Sequence, residues 1–309
     1  MNSSFVFGMC PNRHSAGGGG TKFVNYFSEK LVGRSSFQFS FKNPPDYVLM
    51  FDPRHLDFSG NWLSVEVLKE LKSRSFDCKY IHRINDIGYP KNRPQEYVDG
   101  VIKMGNLADK VVYVSQFVKE YYEDNISTES AVIPNGVDER IFTKRDYSFD
   151  KIRLVTHHWS SDPMKGKALY DYIDSKIPAW GNVEFTYIGN PPKGSDFKNT
   201  NVIEALNSDD LAAELRKHTI YVSGSEHEPC GMHKLEGVSS GLPIIYNENS
   251  GDSYLTADYG IGYLDAERDF EVCLKQMEQK HHFFYNKIVD EFDLYLDVQT
   301  DKYLDFILK

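Results

Sequence analysis

The sequence predicts an α/β protein of two doubly wound domains, each with a parallel sheet between layers of helices. Short apolar runs alternate with helical patterns along both halves of the chain, as expected when crossover helices join parallel strands. The length of 309 residues fits about two domains of ordinary size. Hydrophobic residues make up 40% of the chain and charged residues 26%, which excludes a disordered or fibrous protein.

The first domain, predicted at residues 1–148, contains six apolar runs of strand length and four helical patterns. The predicted strands are Phe5–Met9, Phe37–Phe41, Tyr47–Phe51, Cys78–Ile81, Lys110–Val114 and Ala131–Ile133. The predicted helices lie near Thr21–Val32, Trp62–Lys72, Glu96–Leu107 and Gln116–Tyr122. A turn at Asn135 and Gly136 follows, and the polar stretch from there to Asp150 predicts an interdomain linker.

The second domain, predicted at residues 149–285, repeats the alternation. Its predicted strands are Ile152–Thr156, Glu184–Ile188, Ile220–Ser223, Pro243–Tyr246 and Gly262–Leu264, and its predicted helices lie near Lys165–Asp174, Asp209–Arg216 and Met232–Ser239. Residues 286–309 continue a helical pattern, and we expect this tail to brace the two halves. Doubly wound domains bind ligands at the carboxyl ends of their strands, so we expect the site in a deep interdomain cleft.

Charge and cysteine content exclude some partners and favour a compartment. The net charge is −10, so a generally basic nucleic-acid binder is excluded. Four scattered cysteines form no Cys-x-x-Cys pair, and the first residues lack the positive charges of a signal peptide, so we expect a reduced, cytoplasmic protein. No apolar run reaches the roughly 18 residues that a membrane-spanning helix needs.

A glycine run, Gly17–Gly20, lies between the first predicted strand and the first predicted helix. Glycines there let backbone amides approach a phosphate or a sugar, and the helix N-terminus adds positive potential. A flexible loop without a ligand explains the run equally well. The run lacks the Gly-x-Gly-x-x-Gly spacing of dinucleotide-binding motifs, and no acidic residue ends the second strand.

Two glutamates, Glu228 and Glu236, are separated by seven residues in the segment that follows the strand ending at Ser223. Glu228 is predicted at the mouth of a helix, and Glu236 about one turn or more inside it. The amides of Gly231 and Met232 at that mouth can stabilise an anion such as a diphosphate. The alternative is an amphipathic helix whose acidic residues face water.

The segment after the first strand of the second domain also places polar residues at a carboxyl end. Lys165, at the start of the next helix, can neutralise a phosphate. His157 and His158 are adjacent but have no third ligand at metal-binding spacing, so we expect packing or hydrogen bonding and predict no metal site. The pair His281-His282 in the tail is expected to be solvated.

In the first domain, His82 ends a predicted strand in the company of Arg83 and Asp86. A single histidine is more often a satisfied core residue than a functional one. The charged neighbours at the carboxyl end of a strand favour a functional role here.

These residues together resemble the family-4 retaining glycosyltransferases, which have the GT-B fold of two facing Rossmann-like domains. Four motifs occur in the family's order over most of the chain: the glycine run, His82–Asp86, Ile133–Asp138 with Phe142, and Glu228 through Glu236. One Glu-x7-Glu pair is a weak signal. Four motifs in order, at fitting places in two α/β halves, are specific.

The resemblance implies transfer of a sugar from a nucleotide-diphosphate donor to a glycan, lipid-linked or other hydroxyl acceptor, with retention of the anomeric configuration. The donor would bind mainly to the second domain and the acceptor mainly to the first. The nucleotide sugar is a co-substrate, and the resemblance implies no cofactor and no metal. Peripheral contact with a membrane is compatible with such acceptors.

The resemblance also implies roles for individual residues. Glu228 would contact the donor sugar or support charge at its anomeric centre, His82 would lie at the donor sugar, and Lys165 would contact the diphosphate. Glu236 would hydrogen-bond the ribose hydroxyls. The other implied donor-binding residues are Gly18, Gly19, His157, Gly231 and Met232.

One departure from the family pattern lies in the phosphate site. The family commonly has Gly-Arg-Leu after the first strand of its second domain, where this chain has His157-His158-Trp159. A second phosphate cation is therefore missing. Two alternatives stay open: a nucleotide-sugar epimerase of the same fold, which needs no acceptor site, and a non-catalytic nucleotide-sugar or carbohydrate-binding protein.

Overall fold

The computed structural model describes residues 3–9, 19–31, 33–54, 62–91 and 93–309. The chain divides into two compact units. The first unit comprises Met1–Gly136 together with Leu296–Lys309, and the second comprises Val137–Tyr295. Each unit contains one six-stranded parallel sheet with helices, so the prediction of two α/β domains is confirmed.

The elements of the first unit are numbered in chain order. Its strands are β1 (Phe5–Phe7), β2 (Ser35–Ser36), β3 (Tyr47–Met50), β4 (Lys79–Ile84), β5 (Lys110–Tyr113) and β6 (Ser130–Val132). Its helices are α1 (Gly19–Lys30), α2 (Val65–Ser73), α3 (Gln95–Leu107), α4 (Gln116–Tyr122) and, from the end of the chain, α9 (Leu296–Ile307). The strand order is β2-β1-β3-β4-β5-β6, and all pairs are parallel.

The second unit repeats this architecture. Its strands are β7 (Ile152–His158), β8 (Val183–Gly189), β9 (Asn201–Ile203), β10 (Ile220–Ser223), β11 (Ile244–Asn247) and β12 (Gly260–Tyr263). Its helices are α5 (Lys167–Trp180), α6 (Ser208–Leu215), α7 (Met232–Ser239) and α8 (Ala266–Glu291). The strand order is β12-β11-β10-β7-β8-β9, and all pairs are parallel. From β7 the chain adds β8 and β9 on one side and then β10, β11 and β12 on the other, so the order of addition reverses between β7 and β10.

The strands β1, β3 and β5 of the first unit are largely apolar and buried, as a sheet covered on both faces requires. Phe7, Leu49 and Val112 are fully buried and share a core with Phe27 of α1 and Tyr303 of α9. The helix α9 therefore completes the core of the first unit, although its sequence lies at the far end of the chain.

The sheet of the second unit has an apolar layer on each face. Leu154 packs in the layer that includes Leu169 of α5, whereas its neighbour Val155 packs in the layer that includes Leu235 of α7. Consecutive residues of a strand point to opposite faces of a sheet. The continuous apolar runs of β7 and its neighbours are thus explained by burial on both sides.

The segment predicted as a linker belongs to the second unit. Val137 is fully buried, Phe142 is 3% exposed, and both lie in the apolar layer that contains Leu235. The guanidinium of Arg145 is anchored there too, because its Nη1 donates to the carbonyl of His218 at 2.6 Å. The compact units thus divide after Gly136 rather than after residue 148, because two apolar side chains in a polar stretch bury themselves in the second core.

The tail also divides differently from the prediction. Residues 286–291 end the helix α8 of the second unit, whereas Leu296–Lys309 belong to the first. A salt bridge of 2.7 Å between Lys30 Nζ and Asp297 Oδ1 attaches α9 to α1. That α9 braces the two halves stays a prediction.

Two edge strands differ from the sequence prediction. The strand expected at Phe37–Phe41 is instead the two-residue β2 at Ser35–Ser36, and the three-residue β9 was not predicted. Both strands lie at the edge of a sheet, and both are largely polar or exposed. Edge strands pair on one side only, so they lack the apolar pattern by which central strands are recognised.

His281 is not solvated, which corrects the expectation for the tail. It is 1% exposed, its ring stacks on Phe149 at 4.0 Å between centroids, and its Nε2 donates to the carbonyl of Thr219 at 2.8 Å. Burial lowers the pKa of His281 to about 4, against the raising effect of this hydrogen bond. Its neighbour His282 is exposed.

We expect His281→Gln to reduce the loss of stability at acid pH. Because the pKa of His281 is about 4 when folded and roughly 6.5 when unfolded, the unfolded chain binds the proton first. The contribution of neutral His281 to the free energy of unfolding is complete above about pH 6.5. It is lost as the pH falls toward the pKa of the folded state, by up to about 1.4 kcal/mol per pH unit. Urea unfolding at several pH values measures the slope. The control His282→Gln should keep the wild-type slope, and three equal slopes would contradict this account.

Candidate functional site

The predicted site residues of the second unit gather where its strand order reverses. The carboxyl ends of β7 and β10 are adjacent there, and crevices outside such ends bind ligands in doubly wound sheets. His157 lies at the end of β7, Lys165 lies in the connection to α5, and Glu228 lies in the loop between β10 and α7. Glu236 lies in the second turn of α7, as predicted from the spacing.

Two glycines let the connections after β7 and β10 touch. Gly166 has a φ of 116°, in the region that favours glycine, and precedes α5. A Cβ on Gly166 would lie 2.7 Å from the Cα of Gly224, and a Cβ on Gly224 would lie 2.6 Å from the Cα of Gly166. The backbone amide of Glu226 then donates to the carbonyl of Met164 at 2.9 Å. The two connections therefore form one surface.

Lys165 and Glu228 form an ion pair across this contact. The Nζ of Lys165 donates to Oε2 of Glu228. The Lys165 side chain is 20% exposed and the Glu228 side chain 10% exposed, so the pair is mostly buried but not closed off from solvent. A bound anion could exchange with the carboxylate as the partner of the lysine, because both present oxygen acceptors to the same ammonium group.

Glu236 is held by His157. The Nε2 of His157 donates to Oε2 of Glu236 at 2.9 Å, and the carboxylate side chain is only 3% exposed. The hydroxyl of Tyr221 lies 3.1 Å from Nδ1 of the same histidine. Burial raises the pKa of Tyr221 well above its usual value, so the hydroxyl keeps its proton and can donate to Nδ1. This chain of hydrogen bonds fixes the imidazole with its proton on Nε2.

Two further histidines lie beneath these charged groups. The ring centroids of His158 and His233 are 4.4 Å apart, and both residues are buried. Burial, with the positive charge of Lys165 acting in the same direction, lowers the pKa of each well below its usual value. The neutral rings bond hydroxyls instead: His158 Nε2 lies 2.7 Å from the hydroxyl of Tyr170, and His233 Nε2 lies 3.1 Å from Oγ of Ser223.

A buried ion pair anchors the start of α7. Lys234 and Asp252 are 0% and 1% exposed at their side chains, and the ammonium donates to Oδ1 of the carboxylate. Ser250 bonds both partners, and the amide of Gly231 donates to Oδ2 of Asp252 at 2.6 Å. Because that amide is already used, Gly231 supports the helix end rather than offering a donor to a ligand.

The first turn of α7 supplies the remaining donors. Backbone amides in the first turn of a helix have no acceptor within the helix. Met232 is the first residue of α7, so its amide is one of these donors. No acidic residue lies in this first turn, so the positive end of the helix dipole is not neutralised from within. The site can therefore hold an anion near Lys165 and hydroxyl groups near Glu236. The interpretation of the two glutamates as solvent-facing residues is wrong, since both are buried.

His82 and Gly19 belong to the first unit. His82 lies on β4, is fully buried, and donates from Nε2 to the carbonyl of Phe51 at 3.2 Å. Burial lowers its pKa to about 4, so the imidazole is neutral. Gly19 begins α1, two residues before the predicted start at Thr21, whereas Gly17 and Gly18 lie outside the described residues. Contact of these residues with a donor stays a prediction.

The sequence reasoning missed several members of the site. Tyr221 holds His157 from a different strand, and Asp252 holds Gly231 from a different loop. Neither Tyr221 nor Asp252 belongs to a recognised motif. A tyrosine inside an apolar strand is typical of a core residue, so its hydroxyl gave no signal. The sequence shows Lys234 as a charge within a helix, which is typical of an exposed face, although here it is fully buried.

The described ranges contain neither a cluster of metal ligands nor a helix suited to crossing a membrane. There, no three His, Cys, Asp or Glu side chains come together as the ligands of a metal would. No described helix combines the length and the apolar character that crossing a membrane requires.

Comparison with known proteins gives one match among curated sequences. No protein-family model matches the chain. A segment of 181 residues is 28% identical to the uncharacterized glycosyltransferase MJ1178 of Methanocaldococcus jannaschii. The match covers 55% of this chain and 48% of that protein, so it spans about half the length of the relative.

Solved structures show the fold more completely. HepE of Anabaena, in a structure with UDP and glucose, superposes with a TM-score of 0.73 at 14% identity, over 99% of this chain and 100% of that chain. WaaG, a glycosyltransferase involved in lipopolysaccharide biosynthesis, gives a TM-score of 0.69 at 13% identity, over 98% and 99%. Sucrose-phosphate synthase of Thermosynechococcus elongatus gives 0.66 at 12%, over 93% and 77%. The chain therefore has the GT-B fold of these glycosyltransferase structures.

We expect Gly166→Ala to destabilise the protein more than Gly181→Ala. Both glycines have positive φ, at 116° and 67°, but a Cβ on Gly181 meets nothing within 4 Å. Gly181→Ala should therefore cost only the left-handed conformation, about 1–2 kcal/mol. Gly166→Ala adds the clash with Gly224, roughly 1–3 kcal/mol more. Urea unfolding of the two variants and the wild type gives both values, and equal losses would mean that the two connections do not depend on this contact.

Proposed function

We propose that the protein is a glycosyltransferase that uses a nucleotide-diphosphate sugar. One observation carries the proposal: two buried glutamates, Glu228 in the loop before α7 and Glu236 in its second turn, pair with Lys165 and with His157 at the end of β7. A nucleotide sugar has a diphosphate between two hydroxyl-rich groups, the donor sugar and the ribose. The cation and the helix amides suit the diphosphate, and the two carboxylates suit the hydroxyl groups. The names of MJ1178 and WaaG as glycosyltransferases support the same activity, and so does the structure of HepE with UDP and glucose.

In this proposal each group has a task in donor binding. Glu236 accepts hydrogen bonds from the ribose hydroxyls, and His157 holds its carboxylate in position. Lys165 binds the diphosphate together with the amide of Met232, while Gly231 supports the helix end through Asp252. His157 thus acts through Glu236 instead of replacing the arginine that the family commonly has. UDP-glucose is the first donor to test, because HepE was solved with UDP and glucose.

The proposed reaction breaks the bond between the anomeric carbon and the diphosphate oxygen. Lys165 and the positive end of α7 stabilise the negative charge that grows on the leaving diphosphate. Glu228, released from its pair when the lysine turns to the phosphate, supports the positive charge that develops at the anomeric carbon. The acceptor hydroxyl attacks from the face of the departing group, directly or after a transient covalent step, so the anomeric configuration is retained. Its proton passes to the departing diphosphate oxygen, which gains negative charge as its bond to the anomeric carbon breaks.

The acceptor is proposed as a glycan, lipid-linked or other hydroxyl compound bound mainly by the first unit. His82, if it contacts the donor sugar, would do so as a neutral group, because its pKa is about 4. Among the described cysteines, Cys78 and Cys273 are buried free thiols, which supports a reducing compartment such as the cytoplasm.

Two other activities remain testable against this one. An epimerase would change the sugar of the donor without an acceptor, and a binding protein would hold the donor without turnover. Release of free nucleoside diphosphate only when an acceptor is added favours transfer. A changed donor sugar in the absence of an acceptor, or binding without any turnover across a donor panel, would contradict it.

We expect different kinetic losses from the two glutamates. Glu228→Gln should lower kcat more than it weakens donor binding, because its interaction is made mainly in the transition state. Glu236→Gln should chiefly raise the donor KM, by about 1–3 kcal/mol for lost charged hydrogen bonds. Steady-state kinetics of the purified variants, with folding checked by circular dichroism, measures both.

Lys165→Ala supplies the comparison for the glutamates. The phosphate is bound before the reaction and gains charge during it, so this variant should lose in both kcat and KM. A surface position far from the site usually changes stability by no more than about 0.5 kcal/mol and should leave both parameters unchanged. Near-normal kcat and KM in both glutamate variants would contradict the site, and equal kcat losses with unchanged KM would contradict the division of roles.

We also expect transfer to continue without a divalent metal. Lys165 and the amides of α7 already place positive charge where the diphosphate is proposed to bind. Transfer is measured after treatment with a chelator and again after Mg²⁺ or Mn²⁺ is added back. Complete loss of turnover that the metal restores would show that the phosphate site is misassigned.

A further inference from the structure

A buried arginine of the first unit is satisfied only by neutral groups in the described part of the chain. Arg83, on β4, is 1% exposed. Its Nε donates to the hydroxyl of Tyr303 at 3.0 Å, its Nη2 donates to Oδ1 of Asn135, and its guanidinium carbon lies 4.8 Å from the ring centroid of Phe23. An arginine stays charged in proteins, and a buried charge without a counter-ion is costly.

Among the described residues, the third nitrogen of this guanidinium, Nη1, has no hydrogen-bond partner, and it is buried. It lies near the start of α1. A Cβ built on Gly20 would lie 4.0 Å from Nη1 and 3.6 Å from Nδ2 of Asn85. Two side-chain donors therefore reach the same point beside the first turn of a helix.

The first turn of α1 adds to the positive potential at this point. Gly20 is the second residue of the 12-residue helix, so its amide is among those without an acceptor inside the helix. The first turn contains no acidic residue. A helix N-terminus with uncovered amides stabilises anions. A buried guanidinium that points to the same place gives a second and independent reason for an anion there.

We propose that Arg83, Asn85 and the first turn of α1 bind an oxyanion of phosphate size that the acceptor carries, as a phosphate or a carboxylate. Three groups there carry N–H donors, namely the guanidinium, the side-chain amide and the first turn of the helix, which suits a ligand with several acceptor oxygens. The assignment to the acceptor rests on the proposed function, in which the donor diphosphate has its own cation and helix in the second unit. Arg83, Asn85 and Gly20 all belong to the first unit.

The test titrates inorganic phosphate into the full chain saturated with UDP, at constant ionic strength, and follows the unfolding temperature. UDP occupies the diphosphate site of the second unit, so the remaining response reports the first unit. We expect the wild type to be stabilised by phosphate in the presence of UDP. A response that saturating UDP abolishes would assign the oxyanion to the donor and overturn the proposal.

Substitutions at Gly20 separate charge from shape without removing the buried arginine. Gly20→Asp places a carboxylate beside Nη1 of Arg83. Because this carboxylate takes the place of the bound anion, the variant should bind phosphate at least about tenfold more weakly. Gly20→Ala adds only a Cβ at ordinary contact distance and should stay within about twofold of the wild type in phosphate affinity. Without phosphate, Gly20→Asp should unfold at a higher temperature than the uncharged Gly20→Asn. Unchanged phosphate affinity in Gly20→Asp would overturn the site.

The same measurements separate this inference from the proposed function. UDP affinity of Gly20→Asp should stay within about twofold of the wild type, since the groups proposed to hold the diphosphate, Lys165 and the amide of Met232, lie in the second unit. If neither UDP nor UDP-glucose binds the wild type, the proposed function fails. Phosphate titration of Lys165→Ala, which lacks the cation of the second unit, then decides the oxyanion site alone: a retained response supports it, and a lost response overturns it.

Discussion

The candidate site depends on a backbone contact between two glycines. Gly166 and Gly224 lie so close that a Cβ on either would clash with the Cα of the other. This contact joins the connection after β7 to the connection after β10, at the point where the strand order reverses. The ion pair between Lys165 and Glu228 follows from it, because one partner comes from each connection. Local backbone geometry thus determines which charged groups can act together.

The second constraint on the candidate site is electrostatic. Beneath the charged pairs lie the neutral rings of His158 and His233, whose pKa values burial lowers well below their usual range. Charging either ring would place a second positive charge near Lys165 in a buried region. The neutral layer instead orients hydroxyls and leaves Lys165 as the cation of this surface. The pair of Lys234 and Asp252 completes the support by fixing the start of α7.

The sequence predicted the parts of the molecule that depend on local patterns. The central strands follow from apolar runs, and α7 spans Met232–Ser239, where its helical pattern predicts it. Long-range partners were beyond such patterns: Asp252 holds Gly231 from 21 positions away. Arg83 entered only as a neighbour of His82, because sequence alone does not show that its partners are neutral. The linker was misassigned because burial of two apolar side chains outweighs the polar composition around them.

The central claim is that the second unit binds a nucleotide sugar where β7 and β10 end. A crystal structure of the full chain with UDP-glucose tests it most directly. The account predicts a diphosphate within hydrogen-bond distance of Lys165 Nζ and the amide of Met232, with the ribose hydroxyls on the carboxylate of Glu236. A nucleotide bound elsewhere, with the pairs of Lys165 to Glu228 and His157 to Glu236 unchanged and uncovered, would contradict it.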